Sequence, residues 1–231
     1  MKKIIIFLLF IFSLIYSANA AIKTPNLLVA YRFEGNANDW SGNGKNGTVN
    51  GATLTTGKFG QGYSFNGAGD YVDAGSNPIT GTNAFTLSAW INTATVSNYS
   101  GVISIGSSAV DQSAYIGTVA DAQVGTSNSI GGGFYGRNYG SGITTLNDWV
   151  HVAMTFSGGT NGTAIIYING VNKVSEAYTP NLSSVYLRIG RIGSDTIYDF
   201  NGLIDEVRIY NRALNEAEIR SLMLGYEPGE F

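Results

Sequence analysis

Phe200-Asn201-Gly202-Leu203-Ile204-Asp205-Glu206-Val207-Arg208-Ile209-Tyr210-Asn211-Arg212-Ala213-Leu214 is the stretch on which the fold turns. Its apolar positions recur with the period of a half-buried strand. Strict alternation puts Leu203, Asp205, Val207 and Ile209 on one face and Ile204, Glu206, Arg208 and Tyr210 on the other. The pattern then changes. Asn215 can cap a helix, Glu218 stands where a capping box needs it, and Ile219, Leu222 and Met223 share one face. The expectation is a long strand running into a short helix that lies as a lid on the rest.

Upstream, apolar runs of four to eight residues recur between glycine and asparagine punctuation. They are Leu28 to Phe33, Gly62 to Phe65, Phe85 to Ile91, Val102 to Ile105, Trp149 to Phe156, Thr163 to Ile168 and Val185 to Ile189. Asn-Gly dipeptides supply residues that accept the positive φ of hairpin turns. The clearest is Asn169-Gly170, between Ile165-Ile166-Tyr167-Ile168 and Val171-Asn172-Lys173-Val174. Gly131-Gly132-Gly133 and the segment Gly136 to Gly142 read as loop. The pattern is all-β, an antiparallel two-sheet sandwich closed by a short C-terminal helix.

The front segment Leu28-Val29-Ala30-Tyr31-Arg32-Phe33-Glu34-Gly35-Asn36, with Asp39, Ser41-Gly42-Asn43-Gly44 and Gly47, joins the tail strand in a recognisable order. Between them come Phe85-Thr86-Leu87-Ser88-Ala89-Trp90-Ile91, Trp149-Val150-His151-Val152-Ala153 and Tyr167-Ile168-Asn169-Gly170. From Leu28 to about Met223 the chain resembles the laminin-G-like, concanavalin A-like lectin/glucanase domains of bacterial secreted and surface proteins. The resemblance implies a jelly roll. Some members carry a disulfide, whereas this chain has no cysteine, so packing or a bound metal must supply that stability.

Met1-Lys2-Lys3, the apolar run Ile4 to Tyr16 and Ala18-Asn19-Ala20 have the form of a secretory signal over residues 1–20. Cleavage would leave residues 21–231 as one laminin-G-like domain, secreted or at the cell surface. The run is too short to span a membrane, which takes about 20 residues. Only 13% of residues are charged and the net charge is −3, which excludes nucleic acid as a natural partner.

The loop from Asn36 to Gly47 offers hard oxygen donors at Asn36, Asn38, Asp39, Ser41 and Asn43. Asp205, drawn among aliphatics, needs a cation or several donors if it is ionised. The resemblance implies a structural calcium held by Asp39 and Asp205, with Asn36 near. The other reading leaves Asp39 capping a turn and Asp205 paired with an arginine such as Arg32. Gly42-Asn43-Gly44-Lys45-Asn46-Gly47 matches a dinucleotide-binding spacing, but neither a following helix nor a parallel sheet supports it.

Catalytic machinery is hard to assemble. His151 is the chain's one histidine and sits inside a strand. A glycosidase needs two carboxyl groups about 5–9.5 Å apart across the sugar, yet Asp205 and Glu206 are adjacent and so diverge. Aromatic residues are the better clue, because sugar rings stack on tyrosine faces while amides take the hydroxyls. Tyr99, Tyr115, Tyr135, Tyr139 and Tyr198 stand in loop-like sequence, with Arg137, Asn138 and Asp199 beside them. The expectation is a non-catalytic, secreted protein that binds an extracellular glycan or polysaccharide, or adheres to a surface protein. The rival reading is a glycoside hydrolase or polysaccharide lyase on the same fold.

Overall fold

The computed structural model describes residues 24–96, 99–120, 128–193 and 198–228; the expected signal segment lies outside them. The strands, in chain order, are β1 (Leu27–Tyr31), β2 (Thr48–Asn50), β3 (Thr53–Thr56), β4 (Gln61–Asn66), β5 (Tyr71–Asp73), β6 (Phe85–Thr93), β7 (Tyr99–Gly106) and β8 (Ser113–Val119). They continue with β9 (Ser129–Phe134), β10 (Arg137–Ile143), β11 (Trp149–Phe156), β12 (Gly162–Ile168), β13 (Val171–Tyr178), β14 (Tyr186–Ile189) and β15 (Asn201–Tyr210), before the helix α1 (Glu216–Met223). One sheet has the order β13-β12-β11-β6-β15-β4-β3, with β1 also on β15. The other has the order β10-β9-β8-β7-β14-β5-β2. Every pairing is antiparallel, and the two sheets form the expected sandwich.

The core lies between the sheets. Leu87, Ile91, Val152, Met154 and Ile166 of the first face Ile103, Ile116, Ile130 and Phe134 of the second. Phe85, Phe134 and Phe156 form an aromatic group with ring centroids 5.7–6.3 Å apart. Asn169 and Gly170 take φ of 49° and 72°, the two positive values that a two-residue turn between β12 and β13 requires. α1 is capped as the sequence suggests: Asn215 accepts from the Glu218 N–H at 3.0 Å, and the Glu218 carboxylate accepts from the Asn215 N–H at 2.9 Å. Its Ile219 and Leu222 pack on Ala153, Tyr167 and Tyr210, so the helix lids the outer face of the first sheet.

Two expectations are corrected. The alternation of β15 breaks at a bulge between Asp205 and Arg208, where Glu206 has φ 52°. The extra residue shifts the strand's facing, so Ile204 joins Val207 and Ile209 in the core while Asp205 turns to the outer face. The cause is a change of neighbour. β15 pairs with β4 as far as Ile204 and with β1 from Val207 onward.

The glycine-rich segments around 131–133 and 136–142 are strands, not loop. Close approach of neighbouring strands demands the glycines. A Cβ on Gly131 would lie 2.2 Å from the Tyr139 carbonyl oxygen, and one on Gly133 would lie 2.1 Å from that of Arg137.

Candidate functional site

Tyr115 on β8, Gly133 on β9 and Asn138 on β10 stand opposite one another in a single cross-strand row on the outer face of the second sheet. With no side chain at Gly133, the Tyr115 hydroxyl reaches across and donates to Asn138 Oδ1. Asn138 Nδ2 in turn donates to the Tyr99 hydroxyl at 3.2 Å. The amide is thereby fixed in orientation by two phenols. Burial raises the Tyr115 phenol well above its ordinary range, so it stays protonated and acts as a hydrogen-bond donor.

The segment after β14 completes the wall. Arg191 and Asp199 form an antiparallel bridge at its base, and their side chains make a buried ion pair with Nε–Oδ1 at 2.5 Å. Between them Ile192 and Tyr198 are delivered onto Tyr115 and Tyr99. The Tyr99 and Tyr198 rings meet at 5.8 Å and 81°, an L-shaped corner. Tyr99, Tyr115, Tyr135, Gly136, Asn138, Ile192 and Tyr198 enclose a cavity of about 300 Å³, at the lower end of the range for small-molecule sites. Tyr99, Tyr135 and Tyr198, chosen from sequence, come together here.

Arg137 and Tyr139 do not join them. Strand alternation in β10 sends Asn138 outward and turns Tyr139 into the core, edge-on to Phe134 at 6.4 Å. Arg137 lies 5.7 Å over the Tyr178 ring. Sequence reasoning missed Ile192 and Gly136, which carry no chemical signature, since only the folded loop and turn bring them to the cavity.

The residues suggested for calcium each have other hydrogen-bond partners. Asp39 accepts from the Ala30, Ser41 and Lys45 N–H groups and the Ser41 hydroxyl at 2.8–3.0 Å, and these bonds lower its pKa below the ordinary carboxylate value despite burial. Asn36 is exposed and accepts from the Asn38 N–H. Asp205 is fully buried and accepts from the Phe59 and Glu206 N–H groups at 3.0 and 2.7 Å. Burial and the neighbouring Glu206 outweigh those bonds and push its pKa up to about 7. Arg32, the suggested partner, lies over Trp40 instead. Among the described residues no group of three or more His, Asp or Glu gathers at one point.

His151 is buried, and the burial drives its pKa down to about 3. Its Nε2 lies 2.9 Å from the Ser88 hydroxyl. It is a neutral packing residue on the far sheet from the tyrosine cavity.

Residues 66–220 match the laminin G family of the concanavalin A-like lectin/glucanases superfamily. The chain belongs to this family. Among solved structures it is similar to domain 4 of a GH43 extracellular arabinanase from Geobacillus stearothermophilus, solved with arabinotriose. That likeness has a TM-score of 0.69 at 22% identity, over 86% of this chain and 98% of that one. It is also similar to the botulinum neurotoxin serotype G binding domain, with TM-score 0.57, 21% identity and 86% coverage, and to a Trypanosoma rangeli sialidase, with 0.61, 18% and 89%. The chain spans 51% of the toxin domain's length and 33% of the sialidase's. At these identities the likenesses establish the fold. No curated protein matches by sequence. Among the described residues no helix is long and apolar enough to cross a membrane.

Proposed function

We propose that this chain is a secreted or surface-located, non-catalytic carbohydrate-binding protein whose tyrosine-lined cavity seats a sugar ring. The observation that carries the reading is the chemistry of the wall. Among the described residues it comprises four tyrosines, one oriented amide, an isoleucine and a glycine, with no carboxyl group to protonate a glycosidic oxygen or attack an anomeric carbon. Tyrosine faces stack on sugar C–H surfaces, and the Asn138 amide and phenol hydroxyls take sugar hydroxyls. The arabinotriose held by the arabinanase domain is consistent with that use of the fold.

Calorimetry with arabino-, xylo- and galacto-oligosaccharides, chosen after a glycan array, tests the reading. Tyr198→Ala is expected to weaken binding by about 1–3 kcal/mol, the scale of one aromatic contact. The melting temperature should hardly move, since Tyr198 is only half-buried at the end of a loop. Release of shortened oligosaccharides from a polysaccharide would overturn the non-catalytic reading.

We also propose that any calcium this chain holds sits at Asp205, whose buried carboxylate makes no salt bridge among the described residues, with main-chain carbonyls and water supplying most of the six to eight oxygens required. The acidity of Asp205 gives the sign of the test. Its pKa of about 7 lies above the unfolded value, so the folded state binds the extra proton. Stability contributed by this group is present at pH 4 and is lost as pH rises through 7. In chelator, the melting temperature of the native protein should therefore fall more steeply from pH 4 to 8 than that of Asp205→Asn. Calcium added at pH 8 should restore it in the native protein alone. Identical profiles for the two proteins, with no calcium response, would exclude the site.

A further inference from the structure

We propose that a second cavity on the same sheet, centred on Arg188, binds the anionic group of an acidic sugar, so that the natural ligand is an acidic glycan. This inference rests on the carbohydrate reading and extends it. The cavity, about 370 Å³, is lined by Asp73, Gly75, Ser76, Ser107, Ser108, Val185, Tyr186 and Arg188. It lies on the other side of the Ile192–Gly193 turn from the tyrosine cavity. Ile192 lines the first, whereas a Cβ on Gly193 would come within 2.2 Å of Ser108 Oγ and 3.0 Å of the Tyr186 hydroxyl, both in the second. A chain of sugars crossing the sheet would meet both.

Arg188 is placed as a receptor for an anion. Its guanidinium is held between two aromatic rings, 5.3 Å from Tyr71 and 5.4 Å from Tyr186, and its side chain is 19% exposed. Among the described residues one of its five N–H donors is used, toward the Gly193 carbonyl. Nε is buried and has no partner among the described residues. Among the described residues the acid paired with it, Asp73, stands 4.0 Å from Nη2, too far for a hydrogen bond, and its Oδ1 already accepts from the Gly75 N–H at 2.8 Å. A stacked, half-desolvated guanidinium with most donors unused is matched by a planar or tetrahedral oxyanion that accepts two parallel bonds. A second cation adjoins it: Lys45, whose ammonium donates to the Ser76 carbonyl at 3.0 Å, lines the neighbouring polar depression that shares Asp73, Gly75 and Ser76 with this cavity. Among the described lining residues the two cations outnumber Asp73.

The test uses an array carrying uronate oligosaccharides, sulfated galactans and neutral arabinans, xylans and galactans, followed by calorimetry on the best acidic member and its neutral counterpart, methyl-esterified or desulfated. The expected result is acid preferred by about tenfold or more, the scale of a charge-assisted pair, with the preference shrinking as salt rises. Which acidic class binds distinguishes carboxylate from sulfate. Arg188→Gln should erase the preference while leaving affinity for the neutral counterpart unchanged. Arg188→Lys, which keeps the charge and the fold but loses the fork, should recover only part of it. Asp73→Asn should strengthen acid binding. Neutral glycans bound as well as acidic ones, or an acid preference that survives Arg188→Gln and Arg188→Lys, would overturn this inference and leave the tyrosine cavity standing. Binding of no glycan at all would sink both.

Discussion

Asp199→Ala is expected to cost about 3–5 kcal/mol of folding stability, the penalty for stranding a buried charge, and to weaken glycan binding by about tenfold or more through displacement of Tyr198. The carboxylate is fully enclosed. It meets Arg191 through two parallel bonds, at 2.5 and 3.1 Å, and also accepts from the Gly69 N–H at 2.7 Å. The guanidinium, 4.3 Å over the Tyr71 ring and only 7% exposed, is left nearly desolvated when its partner is removed. Denaturant titration reads the stability and calorimetry reads the binding. A double replacement, Arg191→Met with Asp199→Leu, separates the two effects: removing both charges should return much of the stability. Binding should stay weak, because an apolar pair does not fix the direction in which the loop leaves the sheet. A stability loss below about 1 kcal/mol for Asp199→Ala would mean that water reaches the pair and that the loop is anchored elsewhere.

That clamp shows why the site was only partly legible in the sequence. In the sequence Asp199 is only a polar neighbour of Tyr198, and its role depends on Arg191 lying opposite in a bridge that no local pattern announces. The fold was more readable. The capping box of Asn215 and Glu218 and the Asn169-Gly170 turn are local devices, and each formed as written. β15 reads as a strand in the sequence, yet strict alternation gives the wrong facing for Ile204 and Asp205, the residues before the bulge, and the right one for Val207 and Ile209. A bulge answers to the exchange of β4 for β1 along its edge, a tertiary fact. β9 and β10 read as loops in the sequence because glycine is a poor strand former in isolation. In the folded sheet those glycines are what lets the strands close up and lets Tyr115 reach Asn138.

The misplacement of β10 has a direct experimental consequence at Tyr139. Read as loop, Tyr139 would be a sugar-stacking partner of Tyr135, and its removal would cost binding alone. As a strand residue it points the other way. Its ring is buried among Phe134 and the aliphatics between the sheets, edge-on to a phenylalanine that also stacks on Tyr178 at 4.5 Å and touches Phe85 and Phe156. Tyr139→Ala is therefore expected to lower stability by about 3–5 kcal/mol, the range for deleting a large buried aromatic and leaving a cavity. Glycan affinity of the molecules that remain folded should be unchanged. Tyr198→Ala should give the reverse pattern, and the two variants measured side by side, by denaturant titration and by calorimetry well below the transition, form a crossed comparison. If Tyr139→Ala instead lost binding with little loss of stability, β10 would be facing the other way. Asn138 would then be in the core and the tyrosine cavity could not exist in the form described.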